Sequence, residues 1–174
     1  HGQGVHHLEL RREGADPGEG HDLTDDVGIV IEYTESAGGR PAPVTRPGLE
    51  LPTCVTHLGI AVPDIARSRY ALANAIGVEP SPIQEFEEAR GLAAYTVFNL
   101  GNVSIELLQQ TGDGSGTYAD FLLEQLERGP RPHHLGLHLR RQGKSLSMPE
   151  QIAWLEKHDG QMAADAGGFA YLDF

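Results

Sequence analysis

Two short stretches of the chain repeat each other. "HLGIAVP" occupies 57–63 and "HHLGLHLR" occupies 133–140, so His57 and His134 open the same His-Leu-Gly-apolar phrase at an offset of 134 − 57 = 77 residues. Two carboxylates stand in similarly apolar settings, Glu106 in "VSIELLQ" (103–109) and Glu32 in "GIVIEY" (28–33). Taken singly these residues are unremarkable: a strand-start histidine is commonly a hydrogen-bonded polar residue, and a glutamate in an apolar strand commonly faces solvent. Taken together, two imidazoles with one or two carboxylates form a donor set suited to Zn²⁺, Co²⁺, Ni²⁺, Mn²⁺ or Fe²⁺.

Positioning such a set requires strands that present it on one face. Side chains alternate along a strand. His57, Gly59 and Ala61 therefore share one face, opposite Leu58, Ile60 and Val62. His134, Gly136 and His138 share one face, opposite Leu135, Leu137 and Leu139. Glu106 lies with Ser104, opposite Val103, Ile105 and Leu107, and Glu32 lies with Val30, opposite Ile29, Ile31 and Tyr33. Each strand thus has a clean apolar face suited to packing under helices and a ligand-type residue on the other.

The element order follows from the same pattern. "VTHLGIAV" (55–62) reads as a strand. A helix follows it, started by Pro63 and Asp64 and stopped by Gly77, with Ile65, Tyr70, Leu72, Ala73 and Ile76 at rough helical spacing. "LAAYTVFNLG" (92–101) and "VSIELLQ" form a hairpin around Gly101-Asn102, with a further strand near "SPIQEF". "GTYADFLLEQLERG" (116–129) reads as a connecting helix, "HHLGLHL" as the next strand, "SMPEQIAWLEKHDG" (147–160) as a helix capped by Ser147, and "GGFAYLDF" (167–174) as a last strand. "GVHHLEL" (4–10) is one more strand candidate, which leaves the roles of His6 and His7 open, as that of His138 is. The expected organisation is an N-terminal strand segment (1–34), a Pro- and Gly-rich linker (35–54), a first unit (55–110), a connecting helix (111–132) and a second unit (133–174). The second unit lacks its final strand in sequence order, and residues 27–35 are expected to supply it beside "FAYLDF".

Composition narrows the function. A formal net charge of −12 argues against non-specific binding to nucleic acid or anionic membranes, both of which need a basic surface. No apolar run approaches the ~18 residues of a membrane span. The single cysteine, Cys54, excludes an intrachain disulfide. With no recognisable signal peptide, a cytoplasmic location is the expectation. "GDGSG" (112–116) lacks the Lys-Ser/Thr of a phosphate loop.

"HLGIAVPDIARSRYALANAIGV", "FNLGNVSIELLQ" and "GPRPHHLGLHL", in this order and spacing, resemble the vicinal-oxygen-chelate (glyoxalase-fold) superfamily, and within it the methylmalonyl-CoA epimerases and glyoxalase-like proteins. The likeness covers most of 55–174. It implies an α+β fold of paired βαβββ units whose curved mixed sheets enclose a metal-binding cavity. It also implies a divalent metal held by His57, Glu106, His134 and Glu32, a small-molecule substrate, and assembly of paired modules as a homodimer. The implied reaction is that of a metal-dependent lyase or isomerase that stabilises an enolate on a small carbonyl or thioester substrate, with Glu32 or Glu106 moving the proton. Two alternatives belong to the same fold: an Fe²⁺ extradiol-type dioxygenase using two histidines and one glutamate, and a metal-free protein that sequesters a small molecule. One departure weakens an epimerase of the two-base type: Ala93 and Ala94 occupy the strand in which those enzymes carry a carboxylate base.

Overall fold

The computed structural model describes residues 7–12, 14, 16, 18–35, 53–88, 91–112, 127, 129–141, 144–157, 161–165 and 170–173. The chain divides into two compact units, one of residues 1–41 with 56–136 and one of residues 42–55 with 137–174. The fold is α+β with open, mixed sheets. The 35–54 linker and the 116–129 helix lie largely outside the described residues.

The first unit is built around β4 (Thr53–Ala61), α1 (Ile65–Ile76), β5 (Gln84–Glu88), β6 (Gly91–Asn99) and β7 (Ser104–Gln110). Asp64 starts α1 by accepting the Arg67 backbone N–H at 3.0 Å. Gly77 ends it at φ 68°, in the left-handed region that glycine enters without a Cβ penalty. The β6–β7 hairpin turns at Gly101-Asn102 as expected, with Asn99 opposite Ser104. β7 runs parallel to β4, which sets His57 against Ser104 and Gly59 against Glu106. β8 (Arg131–Arg141) lies on the other side of β4, so the strand order is β5-β6-β7-β4-β8. Tyr70, expected on the apolar stripe of α1, is 72 % exposed, and the buried stripe runs instead through Ile65, Ser68 and Leu72.

The N-terminal segment belongs to this same unit, contrary to the expectation that residues 27–35 complete the second one. β3 (Ile29–Glu35) lies between β1 (His7–Arg12), to which it is parallel, and β2 (Gly20–Leu23), to which it is antiparallel. The reason is burial. Ile29, Ile31 and Tyr33 enter one core with Leu58, Ile60, Ile65, Leu72, Phe98, Ile105 and Leu107, which come from β4, α1, β6 and β7, and with Val62 just after β4. The Tyr33 hydroxyl donates to the Ala75 carbonyl of α1 at 2.8 Å, and Arg67 of α1 donates to Asp26 at 2.7 Å.

In the second unit β8 continues to Arg141 and pairs with β9 (Lys144–Ser145). α2 (Met148–Glu156) follows, its first turn closed by Glu150, which accepts the Ser147 backbone N–H at 2.8 Å. Gln151 of α2 accepts the Leu139 N–H at 3.1 Å and donates to the Leu146 carbonyl at 2.9 Å. Leu139 and Leu146 are buried with Trp154 and Leu155 against them. Leu135 and Leu137, expected under a helix, are 47 % and 37 % exposed. "FAYLDF" contributes β11 (Ala170–Asp173), whose partner is β10 (Gln161–Asp165), a strand without the alternation that would have marked it.

Candidate metal centre

His57, Glu106 and His134 come from β4, β7 and β8, three adjacent strands of one sheet. His57 Nε2 lies 2.9 Å from His134 Nε2, and His134 Nε2 lies 3.6 Å from Glu106 Oε2. One donor atom from each residue falls within 4.8 Å of the others. A divalent ion about 2.0–2.3 Å from each ligand needs its donors at roughly these separations. The opposite faces of the two strands explain the orientation: Leu58, Ile60, Ile105 and Leu107 are buried in the core, which turns His57 and Glu106 away from it.

The repeated glycines are part of the site. A Cβ on Gly59 would stand 2.2 Å from His134 Cε1, and one on Gly136 would stand 2.1 Å from His57 Cε1. Each strand places its histidine over the glycine of the other, two residues beyond that strand's own histidine. This reciprocal fit accounts for the His-Leu-Gly phrase occurring twice. The expected outcome of Gly59→Ala is a folded protein whose His134 ring is displaced, since a side chain yields more easily than a backbone. Unchanged metal affinity of that variant, measured by competition with a chromophoric chelator, would contradict the arrangement.

Burial sets the charge state of the cluster. It pushes the Glu106 carboxyl up to about 7. It lowers His57, and it brings His134 down to about 3, helped by the neighbouring His133 and His57 rings. His133 is lowered by burial to about 4. At neutral pH the imidazoles therefore keep their lone pairs, which is the state a metal ion requires of them. The far nitrogens are held as well: His57 Nδ1 is 3.2 Å from Thr56 Oγ1, and His134 Nδ1 is 2.8 Å from His133 Nδ1. Such outer partners orient metal-ligating histidines. His133 is half-buried and touches His134, although strand alternation assigns it to the opposite face.

Glu32 does not join this cluster. Its strand buries Ile29, Ile31 and Tyr33, which turns Glu32 outward, where it meets His7 Nε2 at 3.4 Å. That pair is about half exposed and contributes little to stability. Among the described residues the metal-ligand group closes with three members. His6 lies outside the described residues, and His138 is not one of the three. Ala93 and Ala94 are buried at 1 % and 3 %, so that stretch of β6 offers no base.

A mixed sheet that gathers two histidines and a glutamate at one point is a candidate divalent-metal site on neighbouring strands. More specifically, the chain belongs to the glyoxalase/bleomycin resistance protein/dioxygenase superfamily, whose family profile matches residues 56–171. Three solved structures are similar. A hypothetical protein of Bacillus halodurans aligns with TM-score 0.54 and 22% identity over 70% of this chain and 84% of its own. A mutant of 4-hydroxymandelate synthase from Streptomyces coelicolor aligns with TM-score 0.54 and 14% identity over 80% of this chain and 41% of its own. Methylmalonyl-CoA epimerase of Mycobacterium tuberculosis aligns with TM-score 0.51 and 15% identity over 71% of this chain and 75% of its own. No curated protein is significantly similar in sequence. Among the described residues no helix is long and apolar enough to cross a membrane.

Proposed function

We propose that this chain is a metal-dependent lyase or isomerase that removes a proton beside the carbonyl of a small carbonyl or thioester substrate. The observation that carries the reading is the convergence of His57, His134 and Glu106. His57 and His134 would hold a divalent ion through Nε2, and Glu106 through one carboxylate oxygen. When bound, the ion supplies positive charge where negative charge develops on neighbouring substrate oxygens. The second oxygen of Glu106 accepts the substrate proton and returns it. Glu106 suits that task by position, because its carboxylate stands beside both histidines. Glu32 has no part in this scheme.

A second carboxylate, as a fourth ligand, would have counted against the dioxygenase alternative, because it fills a position that O₂ or substrate needs. A three-member set of two histidines and one carboxylate matches the pattern of non-haem Fe²⁺ oxygenases, so this second reading gains support. One experiment separates the two. The protein is reconstituted with Zn²⁺, Co²⁺, Ni²⁺, Mn²⁺ or Fe²⁺ in deuterated water and given methylmalonyl-CoA and a panel of 2-oxo and 2-hydroxy acids and thioesters. Deuterium entering beside a carbonyl supports the first reading. Oxygen consumption with Fe²⁺ alone supports the second. Absence of metal binding would remove both and leave sequestration of a small molecule. Paired-module assembly in the family supports a homodimer, and the single cysteine fits a reducing, cytoplasmic setting; sedimentation velocity at micromolar concentration checks the first.

Metal binding should be coupled to one proton. Below pH 7 Glu106 carries a proton that an incoming ion must displace, whereas the imidazoles, held below their usual range, have little to release. Zn²⁺ binding at pH 6 is expected to release about one proton, and at pH 8 almost none. Glu106→Gln should abolish that difference. Calorimetry in two buffers of unlike ionisation enthalpy measures it, and equal release at both pH values would contradict the assignment.

A further inference from the structure

We propose that His133 is a positioning residue for the metal centre: it accepts the Nδ1 proton of His134 and so holds His134 in the tautomer that offers Nε2 to a metal. The inference rests on the metal reading above and adds a role for a residue that strand alternation sets on the wrong face. The two rings nonetheless meet, with Nδ1 atoms 2.8 Å apart, ring centroids 5.1 Å apart and planes at 83°. The local topology permits it. Among the described residues β8 is paired here only with β4, because β9 reaches no further than Arg140 and Arg141.

Two imidazole nitrogens at hydrogen-bond distance share one proton, which one donates and the other accepts. The choice follows from the far side of His134. Its Nε2 faces His57 Nε2 at 2.9 Å and Glu106 Oε2 at 3.6 Å, so Nε2 is the atom aimed at the donor cluster. A nitrogen that gives its lone pair to a metal carries no proton, so the ring proton of a metal-bound His134 sits on Nδ1. His134 is then the donor and His133 the acceptor. The hydrogen bond fixes the ring plane and raises the basicity of Nε2. His57 has a weaker counterpart in Thr56, 3.2 Å from its Nδ1.

The test uses the full chain labelled with ¹⁵N-histidine and loaded with Zn²⁺. The expected result is a proton on His134 Nδ1 and a nitrogen–nitrogen coupling across the hydrogen bond to His133 Nδ1. His133→Phe, which keeps ring bulk and removes the acceptor, should weaken Zn²⁺ binding about 10–100-fold, the usual cost of losing an outer partner. His133→Gln, whose amide oxygen can accept the same proton, should restore much of it. A Zn²⁺-bound His133, or an uncoupled His134 Nδ1, would overturn the proposal whether or not the variants fold. So would Zn²⁺ affinity unchanged in a folded His133→Phe. A wild-type chain that binds no Zn²⁺ would remove the metal reading itself, a result distinct from metal binding that ignores His133.

Discussion

His134→Ala should abolish stoichiometric metal binding while leaving the fold intact. His134 sits at the middle of the cluster: its Nε2 faces both His57 and Glu106, and its Nδ1 meets His133. Removing it leaves His57 and Glu106 as two ligands, and the ring that organises their positions is gone. The loss should exceed the 10–100-fold that an outer partner costs, so a drop of more than about 100-fold in Zn²⁺ affinity is expected. The fold should survive because the large apolar core lies on the other face of the sheet, among Leu58, Ile60, Ile105, Leu107 and their partners. Glu32→Ala is the matched control. It removes a half-exposed carboxylate paired with His7, and it should leave metal affinity unchanged. Chelator competition with unfolding curves for both variants gives the answer. Metal loss in Glu32→Ala, or full retention in His134→Ala, would require a different ligand set.

The parts of this site that were legible in the sequence are those fixed by alternation within a strand. Glu106 stands between buried Ile105 and Leu107, and His57 precedes buried Leu58, so burial of those neighbours determines where the two point; His134 precedes Leu135, which is 47 % exposed, and its placement follows from the neighbouring strand instead. The glycines at 59 and 136 were visible on the histidine faces, but their purpose was not, because it depends on which strands become neighbours. His133 is a related case. Alternation assigns it to the far face, yet its Nδ1 lies 2.8 Å from His134 Nδ1. Glu32 shows the limit of pattern reasoning. "GIVIEY" announces an apolar face that must be buried, and it says nothing about which core receives it. The family pattern suggested the second unit; the buried stripe of α1 and the strands beneath it took the strand instead. β2, β9 and β10 are short or irregular, with too few residues to display alternation even though each pairs with a strand near it in sequence.

The N-terminal segment should therefore prove to be structural in the first unit. Ile31 is fully buried, as are Val27 and Ile29, with Leu23 and Tyr33 nearly so. Ile31→Ala deletes buried methyl groups from a packed core and should cost about 2–5 kcal/mol. That is a large part of the roughly 5–15 kcal/mol that holds a typical domain together. Deleting residues 1–35 goes further, because Leu23, Val27, Ile29, Ile31 and Tyr33 leave together. At about 1.5–3 kcal/mol for each buried side chain, the loss matches or exceeds the whole net stability. It also strips the hydrogen bond that Ala75 accepts and the ion pair of Arg67. The truncated chain should fail to fold cooperatively, seen as loss of a sigmoidal urea transition and of near-ultraviolet circular dichroism. Ile31→Ala, in contrast, should bind metal normally wherever it remains folded, since no atom of Ile31 belongs to the ligand group. A truncated chain that unfolds at the same urea concentration as the full one would mean that α1 and the sheet need no cover, and that β1, β2 and β3 are dispensable.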